Sequence, residues 1–184
     1  MLGAVLGPLG DFTHVLSNTL SYPPGYGYYW MGMPFWTPLL FGSATGLIGS
    51  VHLVASARKD PPGSLAHAIA ALFGFLAVYG LSGFLPKETW LTDLCLGTLA
   101  LLYAQLIAPG WKNIRAGILI GLAGTCLEVA LVQGGAFHYE PGNTALLGVP
   151  SWLPWLYFSA SAAIEPWTRL FTAATPNPRF SESP

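Results

Sequence analysis

Charge is scarce along this chain: only 8% of its 184 residues are Asp, Glu, Lys or Arg. Seven basic and eight acidic residues leave a net charge of −1. No basic face is available for nucleic acid, whose binding rests on phosphate neutralisation. Cysteine is nearly missing as well. Cys95 and Cys126 both fall inside apolar segments, which leaves a disulfide framework unsupported and the redox compartment unread. The first residues lack the basic stretch of a cleaved signal peptide. No nucleophile elbow, phosphate loop, HExxH or Cys/His metal spacing occurs, so neither a catalytic motif nor a metal or organic cofactor is expected.

Apolar sequence fills the space that charge leaves. The chain is 53% hydrophobic, with a mean hydropathy of +0.53. A single domain of this size cannot hide that much apolar surface from water, so the chain reads as an all-α, polytopic membrane protein. Six segments meet the requirement of about 20 mostly apolar residues per span. They are 1–20, 35–57, 64–85, 90–108, 114–136 and 152–172. Pro61–Pro62–Gly63, Pro86 and Pro109–Gly110 punctuate them. One transmembrane domain over 1–174 and a disordered tail over 175–184, rich in Pro and Ser, are expected. Arg58, Lys59, Lys112, Arg115, Arg169 and Arg179 follow even-numbered spans, and only Lys87 lies on the other side. The positive-inside rule then puts both termini in the cytosol. All seven tryptophans fall near span ends and read as an interfacial aromatic belt.

Two stretches look like copies of one unit. Tyr22, Pro24, Gly25, Gly32, Pro34, Trp36, Pro38, Leu40, Ser43 and Ala44 recur as Tyr139, Pro141, Gly142, Gly148, Pro150, Trp152, Pro154, Leu156, Ser159 and Ala160, with one single-residue gap. Helices one and two would repeat as five and six in the same orientation, a parallel repeat about an axis along the membrane normal. Continued backwards, the offset sets Asp11 on Glu128.

Ionisable groups inside spans are costly and point to function. Glu128 shares a helical face with Gly117, Gly121, Gly124 and Thr125, and small residues on one stripe let a second helix approach. Glu128 should face the bundle interior, either to contact a ligand or to make an interhelical hydrogen bond. Asp11 should lie at the same depth, with His14 one turn away. Asp93 opens span four, where a helix-start acid is favoured by the macrodipole. His52 and His67 flank an inner loop and read as interfacial, and Gln105 reads as a helix–helix hydrogen bond. The glycine stripes, including Gly42 and Gly46, mark close helix approach within one chain or between copies, so a homo-oligomer through these faces is open.

The stretch Ser151–Trp152–Leu153–Pro154, followed by aromatic and small residues to Ala160, resembles the entry to the last span of the Insig family. Gly134–Gly135–Ala136–Phe137–His138–Tyr139 resembles that family's preceding turn. Pro34–Phe35–Trp36–Thr37–Pro38, then Gly42, Ala44 and Gly46, resembles its entry to span two. The resemblance covers about residues 34–172 and implies a non-enzymatic sterol-sensor fold. Eukaryotic members bind oxysterols in the endoplasmic reticulum, retain Scap and promote loss of HMG-CoA reductase. The resemblance sets the family's ligand-contacting Gln on Asp93, a following Thr on Gly97 or Thr98, and a span-three Phe near Leu72 and Phe73. The acid that the family uses for its partner falls at Pro109–Gly110, where no acid stands, so Scap-type partnering is not implied. Few lysines with much Ala, Gly and Leu suggest a bacterial inner membrane. The expected partner is an amphipathic lipid, such as a sterol, hopanoid or diacylglycerol, with its hydroxyl end toward Asp93, Asp11 or Glu128. A proton-coupled transporter, and an isoprenoid isomerase or cyclase using Asp11 and Glu128 as acid and base, are the rival readings.

Overall fold

In the computed structural model of the protein, described for residues 2–25, 27, 29–55, 63–86 and 90–174, six helices follow in order. They are α1 (Leu2–Leu16), α2 (Thr37–Ala55), α3 (Leu65–Phe84), α4 (Trp90–Ile107), α5 (Trp111–Gln133) and α6 (Leu153–Ala174). Short strands β1 (Leu20–Ser21), β2 (Tyr29–Trp30), β3 (Met33–Pro34) and β4 (His138–Tyr139) lie in the two long connections. The tail from 175, with Arg179, and the loop residues Arg58, Lys59 and Lys87 lie outside the described residues.

The helices begin and end where local chemistry demands. Ser64 caps α3 by accepting from the His67 amide at 3.1 Å. Gly110, at φ 109°, precedes α5, and Gly135, at φ 74°, turns the chain just after it. Those two breaks shift α5 three residues ahead of its expected start. Helices α2, α3, α4 and α5 are long and apolar enough to cross a membrane, while α1 spans 15 residues. Helix α6 carries Glu165, Pro166 and Arg169, which lower its hydropathy. Those charges pair across one turn, with Arg169 Nε 3.0 Å from Glu165 Oε1.

Helix α6 is the hub, packed against α5, α4, α3 and α2, while α1 lies against α2 and α3. Close approach follows from glycine. A Cβ on Gly121 would stand 2.8 Å from the Pro154 carbonyl, and one on Gly124 would stand 2.4 Å from the Tyr157 ring. Gly117 meets Phe158 in the same way. The glycine stripe of α5 is therefore occupied by α6 of the same chain and is not free to join copies. Three other expectations are corrected by packing. His52 is 1% exposed and bonds Ser161 at 3.0 Å, so it joins α2 to α6 and is not interfacial. Trp152 is 3% exposed in the central core and is no membrane anchor. Gln105 is exposed.

The two long connections share their local geometry. Left-handed backbone occurs at Asn18 and Gly135, at Gly25 and Gly142, at Met31 and Leu147, and at Gly32 and Gly148. Each pair keeps the offset of the sequence series. The Trp30–Met33 pairing of β2 and β3 has its counterpart in the Leu146–Val149 bridge. A Cβ on Gly7 would meet the Phe41 ring at 2.3 Å, as one on Gly124 would meet Tyr157. Strands β1 and β4 pair antiparallel, Leu20 with Tyr139 and Ser21 with His138, and tie the two units together at one end of the bundle.

Candidate functional site

Asp11 and Glu128 each carry a pair of phenols. Tyr22 and Tyr79 donate to the two oxygens of Asp11, the Tyr79 bond measuring 3.2 Å. Tyr139 and Tyr157 donate to the two oxygens of Glu128 at 3.3 and 2.7 Å. The sequence separation is 11 residues for Asp11–Tyr22 and 11 for Glu128–Tyr139. Both acids stand about one and a half turns before their helix ends, and both tyrosines lie at or just after the end of the short strand that follows. The second phenols differ between units. Tyr157 comes from α6, and its counterpart Phe41 has no hydroxyl, so Asp11 takes Tyr79 from α3 instead. Burial, with the carboxyl beside each, pushes the Tyr22 and Tyr139 phenols above their ordinary value and keeps both as donors.

A cavity of about 550 Å³ lies beside this cluster, walled by α1, α2, α3 and α6, with Glu128 of α5 and Tyr139 of β4 also on its wall. Its wall on α6 runs from Leu153 to Phe171, about 27 Å at 1.5 Å per residue. Gly46, Gly49, Ala160 and Ala163 keep it open, and nothing stands within 4 Å of a Cβ built on Gly46. His14, Tyr79, Glu128, Tyr139 and Tyr157 line one end, and leucine, isoleucine and phenylalanine line much of the rest. Among the described residues no lysine or arginine lines it. A concave, mostly apolar space with a few convergent polar groups is the usual form of a small-molecule site.

The expected site residues separate in space. Glu128 and His14 stand on the cavity wall. His14 Nε2 lies 2.9 Å from Ser82 Oγ, and its ring meets Tyr79 and Trp152 edge-on. Asp11 is 5% exposed and reaches the cavity only through Tyr79. Asp93 accepts from Ser151 Oγ at 2.9 Å on both oxygens, tying the first turn of α4 to the turn before α6. It is not on the cavity wall. Phe73 is 67% exposed and Thr98 is exposed as well, both on outer faces away from the cavity. Sequence reasoning passed over the four tyrosines, although two of them stand in the repeated series. It also passed over the buried Glu165, whose Glu-x-x-x-Arg spacing to Arg169 was legible. Among the described residues no group of three His, Cys, Asp or Glu side chains could hold a metal ion.

No family model matches the chain. A curated relative, the INSIG protein homologue of Mycolicibacterium vanbaalenii, is 32% identical over 164 residues, covering 86% of this chain and 78% of that protein. The crystal structure of MvINS, a mycobacterial Insig homologue from Mycobacterium vanbaalenii, matches with a TM-score of 0.85 and 26% identity. It covers 96% of this chain and 93% of that chain. A cross-linked trimer of MvINS matches with a TM-score of 0.85 and 27% identity over the same shares. The chain belongs to the Insig family and is a multi-pass integral membrane protein.

Proposed function

We propose that this Insig-family protein holds one amphipathic lipid, sterol-like or diacylglycerol-like, in the cavity between α1, α2, α3 and α6. It acts as a lipid sensor or regulator and not as an enzyme. The observation that carries the reading is the cavity itself, about 550 Å³ and apolar along the bundle, with Glu128, Tyr139 and Tyr157 gathered at one end. That distribution matches a lipid with one polar end and a hydrophobic body. The ligand contacts are assigned to Glu128 and His14, with the three wall tyrosines Tyr79, Tyr139 and Tyr157.

All six helices cross the membrane in this reading, with both termini in the cytosol. Pairing of Glu165 with Arg169 makes α6 tolerable in lipid despite its charges. The bacterial relative supports a bacterial inner membrane. Self-association is part of the proposal, supported by the relative's trimer, and it uses faces other than the α5 glycine stripe. A Scap-type partner is not.

Native mass spectrometry of protein purified from its membrane tests the reading. One neutral lipid per chain is expected. Glu128→Gln keeps the shape and one of the two phenol acceptors and should retain the lipid, whereas Glu128→Leu leaves both phenols unsatisfied and should weaken retention by about 1–3 kcal/mol. A proton-coupled transporter or an acid–base enzyme would instead lose its activity with Gln. Unchanged retention in both variants would place Glu128 outside the site.

A further inference from the structure

Every phenolic hydrogen at the polar end of the cavity is already spent. Tyr79 donates to Asp11, and Tyr139 and Tyr157 donate to Glu128. Ser82 Oγ, which faces His14 Nε2, itself donates to the Tyr79 carbonyl at 2.7 Å. A phenol that donates keeps its lone pairs for a further partner. The wall tyrosines therefore offer acceptors, with no lysine or arginine among the described residues of the wall to offer a charge-assisted donor.

Asp11 holds this pattern in place without reaching the cavity. One of its oxygens is taken by Tyr22, which is not on the wall, and the other by Tyr79, which is. We infer that Asp11 is a positioning residue which, through Tyr79, turns the polar end of the cavity into a set of acceptors and so selects a lipid whose head group donates a hydrogen bond. This rests on the pocket reading above. A free alcohol fits such a seat. Its methyl ether brings an oxygen against phenolic lone pairs with nothing to share. Leaving buried acceptors without a donor is the source of the discrimination.

The test uses the full chain in detergent with matched probes: cholesterol against cholesterol methyl ether, and 1,2-dioleoylglycerol against its 3-O-methyl ether. Binding that a Gly46→Leu variant blocks counts as binding in the cavity. In the wild type the alcohol of at least one pair should bind about tenfold more tightly than its ether. Asp11→Asn should bring that ratio close to one. An amide has one acceptor for the two phenols, so with its oxygen on Tyr22 its N–H faces Tyr79, whose hydrogen is freed toward the cavity. Tyr79→Phe should lower the ratio as well, and Tyr22→Phe should leave it unchanged.

Thermal stability measured alongside separates positioning from damage. If Asp11→Asn lowers stability and weakens both probes equally at a constant ratio, Asp11 is structural only and the inference falls. If ether and alcohol bind alike in the wild type, and Gly46→Leu blocks both, the pocket stands and the selection rule is wrong. If no probe of either pair binds, the pocket reading fails and takes the inference with it.

Discussion

Filling the cavity from one side should strengthen the protein while it evicts the lipid. Gly46 lies on α2, on the cavity wall, and its Cβ direction is open. Gly46→Leu adds four carbons, which at about 30 Å³ per water-sized unit take on the order of 100 Å³. That is about a fifth of the 550 Å³ available. Removing cavity volume returns about 24 cal/mol per Å³, so the filled space contributes up to about 2.4 kcal/mol. Replacing glycine inside a helix adds roughly 0.8 kcal/mol. A delipidated Gly46→Leu protein should therefore melt at a higher temperature than the delipidated wild type. Its co-purified lipid, measured by extraction and mass spectrometry per mole of protein, should fall well below one. Damage to the fold would lower both quantities, so the opposite signs identify the cavity. A variant that keeps its full lipid complement at an unchanged melting temperature would refute the reasoning.

Two further outcomes are expected. Gly7→Ala and Gly124→Ala place a methyl 2.3 Å from the Phe41 ring and 2.4 Å from the Tyr157 ring. Each should cost about 1–3 kcal/mol in thermal or denaturant unfolding, as overpacking does; both should also weaken lipid retention, because Phe41 lines the cavity and Tyr157 bonds Glu128 on its wall. In a background without Cys95 and Cys126, cysteines at Ser64 and Ala145 should label with an impermeant maleimide from opposite faces, Ser64 from the cytosol. Labelling of both from one face would overturn the topology.

Much of the fold was legible because lipid leaves the sequence few options. Backbone polar groups in a bilayer must be paired within the segment, so apolar length and Pro/Gly punctuation located all six helices. The repeat was legible through Pro, Gly and Trp, residues whose backbone or interfacial demands recur at equal places. Its offset led from Asp11 to Glu128, and the matched left-handed positions and Tyr–carboxyl spacings fall in the same register. Side-chain partnerships across long separations were not legible. His52 is buried because Ser161 on α6 meets it, and nothing near residue 52 signals that. Tyr79 reaches Asp11 from 68 residues away, in place of the hydroxyl that Phe41 lacks. Asp93, Thr98 and Phe73 were taken from a diffuse resemblance, in which an error of one residue turns a helix by about 100°. Two of them now stand on exposed faces and the third is held by Ser151. The glycine stripe signalled close approach but could not say to which helix; the Pro154 carbonyl and the Tyr157 ring decide it.

The central claim, that the cavity holds a lipid by its polar end, is met most directly by an experimental structure of protein purified from its own membrane without added lipid. The account predicts continuous elongated density along α2 and α6, ending in a polar atom within hydrogen-bond distance of the Glu128 carboxyl or the Tyr157 phenol. A cavity that is collapsed, or filled with discrete waters bonded to Glu128, would contradict it.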